Sequence, residues 1–270
     1  MSRQSLPVGG IPSTALWTLY CRASHPSILA DPQAQRILEA LDLDLRRWFG
    51  RPDPSFARRA RAFDELVAAF LRSEPGAPVV SLGEGLETQR FRVGGWSRWT
   101  TVDLPDMISL RERFIVPTPS ALHRTGSVEN LGWLEDLQDR PACVVAQGLF
   151  MYLPESSVKA VLQGWAERAR GCFVFDVVPP WVSWLTRVRV PLTPAYRLPV
   201  MPWGAGRGGV HARLGAWLGH RVQVRWIPIS LPSGPMPWSL PTGIACLTRN
   251  EDAPVDPKPT PSQASRPPAD

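Results

Sequence analysis

Between residues 13 and 72, apolar side chains recur every three to four positions, the spacing of amphipathic helices. The stretch Ser13 to Ser24 mixes apolar residues at this spacing with Arg22. Asp31-Pro32 opens a second helix, because aspartate caps a helix N-terminus and proline suits the first helical position. Leu38, Leu41 and Leu45 form its apolar stripe, and Phe56, Ala60, Phe63, Val67 and Phe70 form that of a third helix over 54–72. Three helices are therefore expected before the first strand. From residue 77 the rhythm changes, and short apolar runs alternate with amphipathic segments. Strands are predicted near 78–82, 98–103, 120–124, 142–147, 172–177, 221–229 and 243–249. Helices fall near 86–91, 105–114, 131–137, 154–169 and 209–218. Such alternation predicts an α/β fold with a mostly parallel seven-stranded sheet covered on both faces. The last two strands have no helix between them and form an antiparallel pair at the sheet edge.

Residues 179–208 fit neither period and are rich in proline and tryptophan. An irregular insert of this length in a compact domain reads as a lid or binding segment. Residues 251–270 are Pro/Ser/Asp-rich with almost no apolar content, so a disordered tail is expected there. The chain thus divides into a helical cap (1–76), a sheet-containing core (77–250) with the insert 179–208, and the tail 251–270.

Composition changes this picture only slightly. The chain has 270 residues, 44% of them hydrophobic, with 30 prolines and 12 tryptophans. A net charge of +6 suits nucleic acid, an anionic surface or an acidic small ligand. Lysine occurs only at 159 and 258 and no dense basic block is present, so a solvated arginine-rich surface is the reading, with no nucleic-acid partner. Cys21, Cys143, Cys172 and Cys246 are far apart in apolar company, which favours buried free thiols over disulfides or a metal site. No apolar run reaches about 18 residues and no signal-peptide pattern opens the chain. A cytoplasmic protein with no membrane partner is expected.

The candidate chemistry starts at Val79-Val-Ser-Leu-Gly-Glu-Gly85, where a strand runs into closely spaced glycines. Nothing matches a Walker loop, and a dinucleotide fingerprint fails because Thr88 stands where its third glycine belongs. The next strand ends in Asp103, 20 residues beyond Gly83, at a tip that borders the ligand crevice of an open α/β sheet. A carboxylate there accepts both ribose hydroxyls of an adenosine. S-adenosylmethionine carries no pyrophosphate, and its sulfonium tolerates the acidic Glu84, so it suits this loop better than NAD. A plain glycine turn with Asp103 capping the helix at Pro105 is the non-functional alternative.

Further motifs lie in order along the chain. They include Ser13-Thr-Ala-Leu-Trp17, Tyr20-Cys-Arg-Ala23, Asp31-Pro-Gln-Ala34, Arg59-Ala-Arg-Ala-Phe-Asp64 and Leu82-Gly-Glu-Gly-Leu-Glu-Thr88. Arg90-Phe-Arg92, Val102-Asp-Leu-Pro105, Trp133-Leu134 and Gly148-Leu-Phe-Met-Tyr-Leu153 complete the set. Together they resemble the leucine carboxyl methyltransferase family, and more closely its bacterial polyketide O-methyltransferase branch. The resemblance runs from about 13 to 178 and more weakly to 250. It implies a class I, Rossmann-like methyltransferase fold and S-adenosylmethionine as cofactor. It also implies that Arg59 and Arg22 hold the methionine carboxylate, that Gly83 and Gly85 pass close to that moiety, and that Asp103 holds the ribose. Two positions depart from the family. Gln147 stands where an acidic residue is usual beside the amino group and methyl, and Ser127 where an aspartate is usual near the adenine.

Methyl transfer from a sulfonium is an in-line displacement, for which the protein mainly supplies alignment and desolvation. None of His25, His123, His211 and His220 stands out as a base, and no metal-ligand pattern is visible. A carboxylate acceptor needs no base, and Arg187, Arg189, Arg197 and Arg207 of the insert are candidates to recognise its charge. Trp181, Trp184, Trp203 and Tyr196 suggest an aromatic wall for a bulky apolar substrate. The leading expectation is an O-methyltransferase acting on a small acidic or aromatic molecule. A methyltransferase-fold binding protein without turnover and a nucleotide-dependent oxidoreductase are the alternatives.

Overall fold

The computed structural model describes residues 6–137, 140–229 and 243–250. The expected tail lies outside them. Four helices precede the first strand: α1 (Ser13–Ala23), α2 (Pro32–Leu41), α3 (Leu45–Phe49) and α4 (Pro54–Ser73). Aspartates set three of the starts. Asp31 accepts the Ala34 N–H at 3.0 Å, Asp44 the Arg47 N–H at 3.1 Å, and Asp53 the Ser55 N–H at 2.8 Å. The additional helix α3 is too short for its period to show in the sequence.

The large sheet contains β1 (Val79–Leu82), β2 (Trp99–Asp103), β3 (Ala121–Thr125), β4 (Ala142–Ala146), β5 (Gly171–Val177), β8 (Val222–Pro228) and β9 (Gly243–Arg249). Its order is β3-β2-β1-β4-β5-β9-β8. The first five strands are parallel, with Val80 opposite both Thr100 and Val144. β9 runs antiparallel to both β5 and β8, so the last strand in the chain enters between two earlier ones. β1, β2 and β4 are buried at every position, as a central parallel strand covered on both faces must be. In the two edge strands, β3 and β8, only the first residue of each, Ala121 and Val222, is buried.

One face of the sheet carries Phe173 and Phe175, packed with Trp133, Phe150, Trp165 and Trp203. α7 (Glu155–Arg168) and α9 (Arg207–Leu218) cover it. The other face packs Val79, Trp99, Val145 and Val174 against Phe63, Val67 and Leu71 of α4. A third cluster ties α1 to α2 and α3, and also to Met107 and Leu110 of α6 (Pro105–Glu112). Burying side chains of this size contributes roughly 1.5–3 kcal/mol each, so the helical cap is firmly attached to the sheet domain.

Three local expectations change. The helix predicted near 86–91 is one turn, α5 (Gln89–Arg92), because the residues before it form a tight turn, with Gly83 and Gly85 at positive φ and the Glu87 N–H donating to the Glu84 carbonyl at 2.9 Å. Residues 131–137 form a 3₁₀ helix. The insert is ordered: it holds α8 (Pro180–Arg187) and a hairpin of β6 (Pro191–Thr193) and β7 (Tyr196–Arg197). Its anchors are tertiary. Val182 packs with Met151 and Met201, the Ser183 hydroxyl donates to the Met201 carbonyl, and Thr193 donates to the Trp48 carbonyl at 2.6 Å. Tyr196 meets the Ser13 hydroxyl at 2.7 Å and the Phe49 ring edge-on. No helix among the described residues is long and apolar enough to cross a membrane.

Candidate functional site

The strand order switches between the parallel strands β1 and β4, and a crevice opens at the C-terminal ends of these strands. Three glycines shape it. Gly83, Gly85 and Gly148 have φ of 59°, 56° and 68°, conformations that side chains rarely adopt. Space is short as well. A Cβ on Gly83 would lie 2.7 Å from the Leu149 side chain, and one on Gly85 would lie 3.0 Å from Ala15. Backbone shape thus requires all three glycines, and at Gly85 the close approach of α1 does so as well.

Two adjoining cavities occupy the crevice. The larger, about 180 Å³, is lined by Ile11, Gly83, Gly85, Asp103, Ser127, Glu129 and Tyr152 among others. The smaller, about 60 Å³, is lined by Thr14, Arg22, Arg59, Glu84, Glu87 and Gln147 together with the three glycines. All eight residues singled out from the sequence line one or both of these cavities, although the Glu84 carboxylate is turned to other partners. No histidine lines either cavity.

Asp103 ends β2 and is 8% exposed. Its Oδ2 accepts the Gly85 N–H at 2.7 Å and its Oδ1 the Leu104 N–H at 2.8 Å. Burial pushes its carboxyl above the usual aspartate range, although these two amides and Arg111 pull the other way. Each oxygen keeps a lone pair for a ligand.

Glu84 is the correction. Its carboxylate is fully buried and turns away from the cavities, meeting Arg111 at 3.1 Å and the Trp99 indole N–H at 3.2 Å, with Thr101 donating as well. It anchors the loop rather than balancing a ligand charge. Arg111, 1% exposed on α6, completes that anchor by donating to the Gly85 and Glu87 carbonyls at 2.8 and 2.7 Å. An arginine inside an amphipathic helix carries no signal of this role.

Behind the smaller cavity lies a buried ionic network. Arg92 reaches Asp31 at 2.6 Å, Asp64 at 2.7 Å and Glu87 at 2.9 Å. Arg22 contacts Glu87 at 3.1 Å and donates to the Leu86 carbonyl at 2.9 Å. Burial favours a neutral Glu87, but the two arginines outweigh it and hold the carboxyl down to about 2. Gln147 donates its amide to Glu87 at 3.1 Å, while its Oε1 is buried without a partner. Arg59 pairs with the buried Asp176 at 2.9 Å, leaving its Nε without a partner. Asp176 in turn accepts the Gly148 N–H at 2.6 Å.

Sequence reasoning missed Glu87, Asp176 and Glu129. Glu87 sat inside the quoted glycine loop, and Asp176 was the one charged residue in an apolar strand, a signal that could have been used. Glu129 shares the cavity wall with Ser127, whose hydroxyl accepts its N–H at 3.2 Å. The insert behaves differently from expectation. Trp203 is buried in the core beside Phe150 and Phe175, Tyr196 packs under α1, and Trp181 and Trp184 are exposed. None of them, and none of the insert arginines, lines either cavity.

Comparison with known proteins gives the family and the fold. A family model described as "Leucine carboxyl methyltransferase" matches residues 13–166. The tetracenomycin polyketide synthesis O-methyltransferase TcmP of Streptomyces glaucescens is 34% identical over 189 residues, covering 66% of this chain and 70% of that protein. An S-adenosyl-L-methionine-dependent methyltransferase of Gibberella zeae is 27% identical, over 60% of this chain and 63% of that one. Among solved structures, the N-methyltransferase NodS of Bradyrhizobium japonicum in complex with S-adenosyl-L-homocysteine superposes with a TM-score of 0.53. It is 13% identical, and the match covers 82% of this chain and 100% of that one, a likeness of fold alone. The chain belongs to the leucine carboxyl methyltransferase family and is an S-adenosylmethionine-dependent methyltransferase of the class I fold.

Proposed function

We propose that this enzyme transfers a methyl group to an oxygen of a small molecule, a carboxylate or a polyketide-like hydroxyl. One observation carries the reading. The paired cavities gather Asp103, Arg59 and Gln147 around the three glycines, and Arg59 Nε and Gln147 Oε1 are buried without a partner, which supports the reading. In this reading Asp103 takes the ribose hydroxyls, Arg59 the methionine carboxylate and Gln147 the ammonium. Arg22 lines the same cavity; two of its nitrogens meet Glu87 and the Leu86 carbonyl and hold the wall in place, while its Nε, like that of Arg59, has no hydrogen-bond partner. Gly83, Gly85 and Gly148 let the backbone approach closely.

When bound, S-adenosylmethionine supplies a methyl group already activated on sulfonium. The chain's residues align the acceptor and exclude water. Tyr152 lines the larger cavity, and burial raises its hydroxyl above the usual tyrosine range. It therefore donates a hydrogen bond at neutral pH and does not take up the acceptor's proton. With no histidine in the cavity walls, an acceptor that is already anionic suits the site best.

The reading without turnover rests on Gln147 and Ser127. Both departures have a carboxylate close by: Glu87 is 3.1 Å from the Gln147 amide, and Glu129 stands beside Ser127. Negative charge is retained near both ends of the site, which favours an active enzyme. The test is incubation with methyl-labelled cofactor and a panel of aromatic acids and phenols. Label transfer to a member of the panel, lost in Asp103→Ala, supports the proposal. Tight cofactor binding with no transfer to any member would favour the binding protein.

A further inference from the structure

Segment 177–250 contains eight arginines and neither aspartate nor glutamate. The rest of the chain has more acidic than basic residues, so the whole positive balance of the protein resides in this segment. Four of the arginines, Arg187, Arg189, Arg197 and Arg207, are exposed on the insert. None of the four pairs with a carboxylate among the described residues, whereas Arg213 and Arg221 of the same segment meet Glu155 and Glu167.

Three of these charges, Arg187, Arg189 and Arg197, adjoin an apolar face. On α8, Trp181, Trp184 and Val188 are 42%, 61% and 51% exposed, at positions that share one side of a helix. Val182, Ser183 and Thr186, on the opposite side, are buried. The Arg187 guanidinium donates to the Pro202 carbonyl at 2.9 Å, which draws in the segment carrying the exposed Val200. Arg197 donates to the Arg189 carbonyl at 3.1 Å, which draws the β6–β7 hairpin to the end of the same helix. The result is an apolar strip carrying two exposed indoles, with Arg187, Arg189 and Arg197 beside it, none paired with a carboxylate among the described residues. Neither cavity of the candidate site reaches it.

We propose that this face docks the enzyme on an anionic lipid surface. Indoles settle at the boundary between headgroups and acyl chains, and arginines beside them pair with lipid phosphates. A second copy of the chain is a poor occupant, because a two-fold contact would set these cations against their own copies. The expectation of no membrane partner, drawn from the lack of a spanning segment, is revised to surface contact without insertion of a span. The face lies on the outer side of the helix whose buried side packs with Met151 and Tyr152 beside the larger cavity. Docking therefore holds the site close to a bilayer, where an apolar acceptor concentrates.

The experiment is co-sedimentation of the full-length protein with vesicles of phosphatidylcholine alone and of phosphatidylcholine mixed with phosphatidylglycerol. Binding is expected to the mixed vesicles only, to weaken as salt is raised, and to shift Trp fluorescence to the blue. Trp181→Ser/Trp184→Ser should weaken it by at least about tenfold. Arg187→Gln and Arg189→Gln should each weaken it about fivefold. Cofactor affinity, measured alongside, should be unchanged in all these variants, which shows that they are folded. Failure to bind the mixed vesicles, or binding indifferent to the Trp and Arg substitutions, overturns the proposal. So does capture by polyglutamate without capture by vesicles, which would indicate an acidic protein. A concentration-dependent dimer abolished by the Trp substitutions would instead assign the face to self-association.

Discussion

Asp103 holds the Gly85 amide, and in the proposed function its remaining lone pairs serve the cofactor. Asp103→Ala should weaken S-adenosylmethionine binding by about ten- to hundredfold, the effect of losing a hydrogen bond to a charged acceptor, as read by calorimetric titration. The pH dependence has a definite sign. Burial raises this carboxyl, so as pH falls it takes up a proton earlier than an ordinary aspartate, and cofactor affinity falls with it. Asp103→Asn should remove that acidic limb, and an unchanged limb would assign it to another group. Gln147 is a second residue whose behaviour depends on its neighbour. From the sequence alone, restoring an acid there should tighten the sulfonium-bearing donor. The Gln147 amide, however, donates to Glu87 at 3.1 Å, so Gln147→Glu sets two carboxylates in contact. The pair can then ionise fully only at a cost. The variant should melt lower than wild type, and the deficit should shrink as pH falls and one member takes up a proton. A deficit independent of pH would exclude carboxylate repulsion as its cause.

At the scale of elements, Arg92 joins the cap of α2, the body of α4 and the loop after β1 through three carboxylates. Arg92→Ala leaves those carboxylates buried without their shared cation and should cost about 3–5 kcal/mol in denaturant unfolding. A loss near zero would mean that the cap does not depend on this hub. The insert offers a paired comparison. Trp203, 2% exposed, fills the core between Phe150 and Phe175, so Trp203→Ala should cost about 3–5 kcal/mol. Trp184, 61% exposed, should cost less than about 0.5 kcal/mol on truncation. The insert's eight-residue helix escaped sequence reading because apolar residues stand all round it: some face the core and others face solvent.

Over the whole molecule, the ionic network shapes acid stability. Glu87 is held at about 2 in the folded protein against its ordinary 4.5, so its contribution is complete above 4.5 and is lost as pH falls toward 2. It amounts to something on the order of 3 kcal/mol, and Glu87→Gln should flatten stability over that interval. The sequence by itself determined the strand and helix alternation, the glycine loop, the carboxylate at the tip of β2 and the family. These are local properties: period, backbone permissiveness and spacing along one chain. Tertiary structure decided the rest. Glu84 and Glu87 lie three residues apart in one loop, yet one faces Arg111 and the other faces Arg22 and Arg92. Asp176 and Arg59 are 117 residues apart and meet only because β5 and α4 converge on the crevice. Which tryptophans pack and which stay exposed depends on what lies opposite them. A residue's type and spacing limit what it can do, but the charge or surface it meets comes from distant segments that only folding brings together.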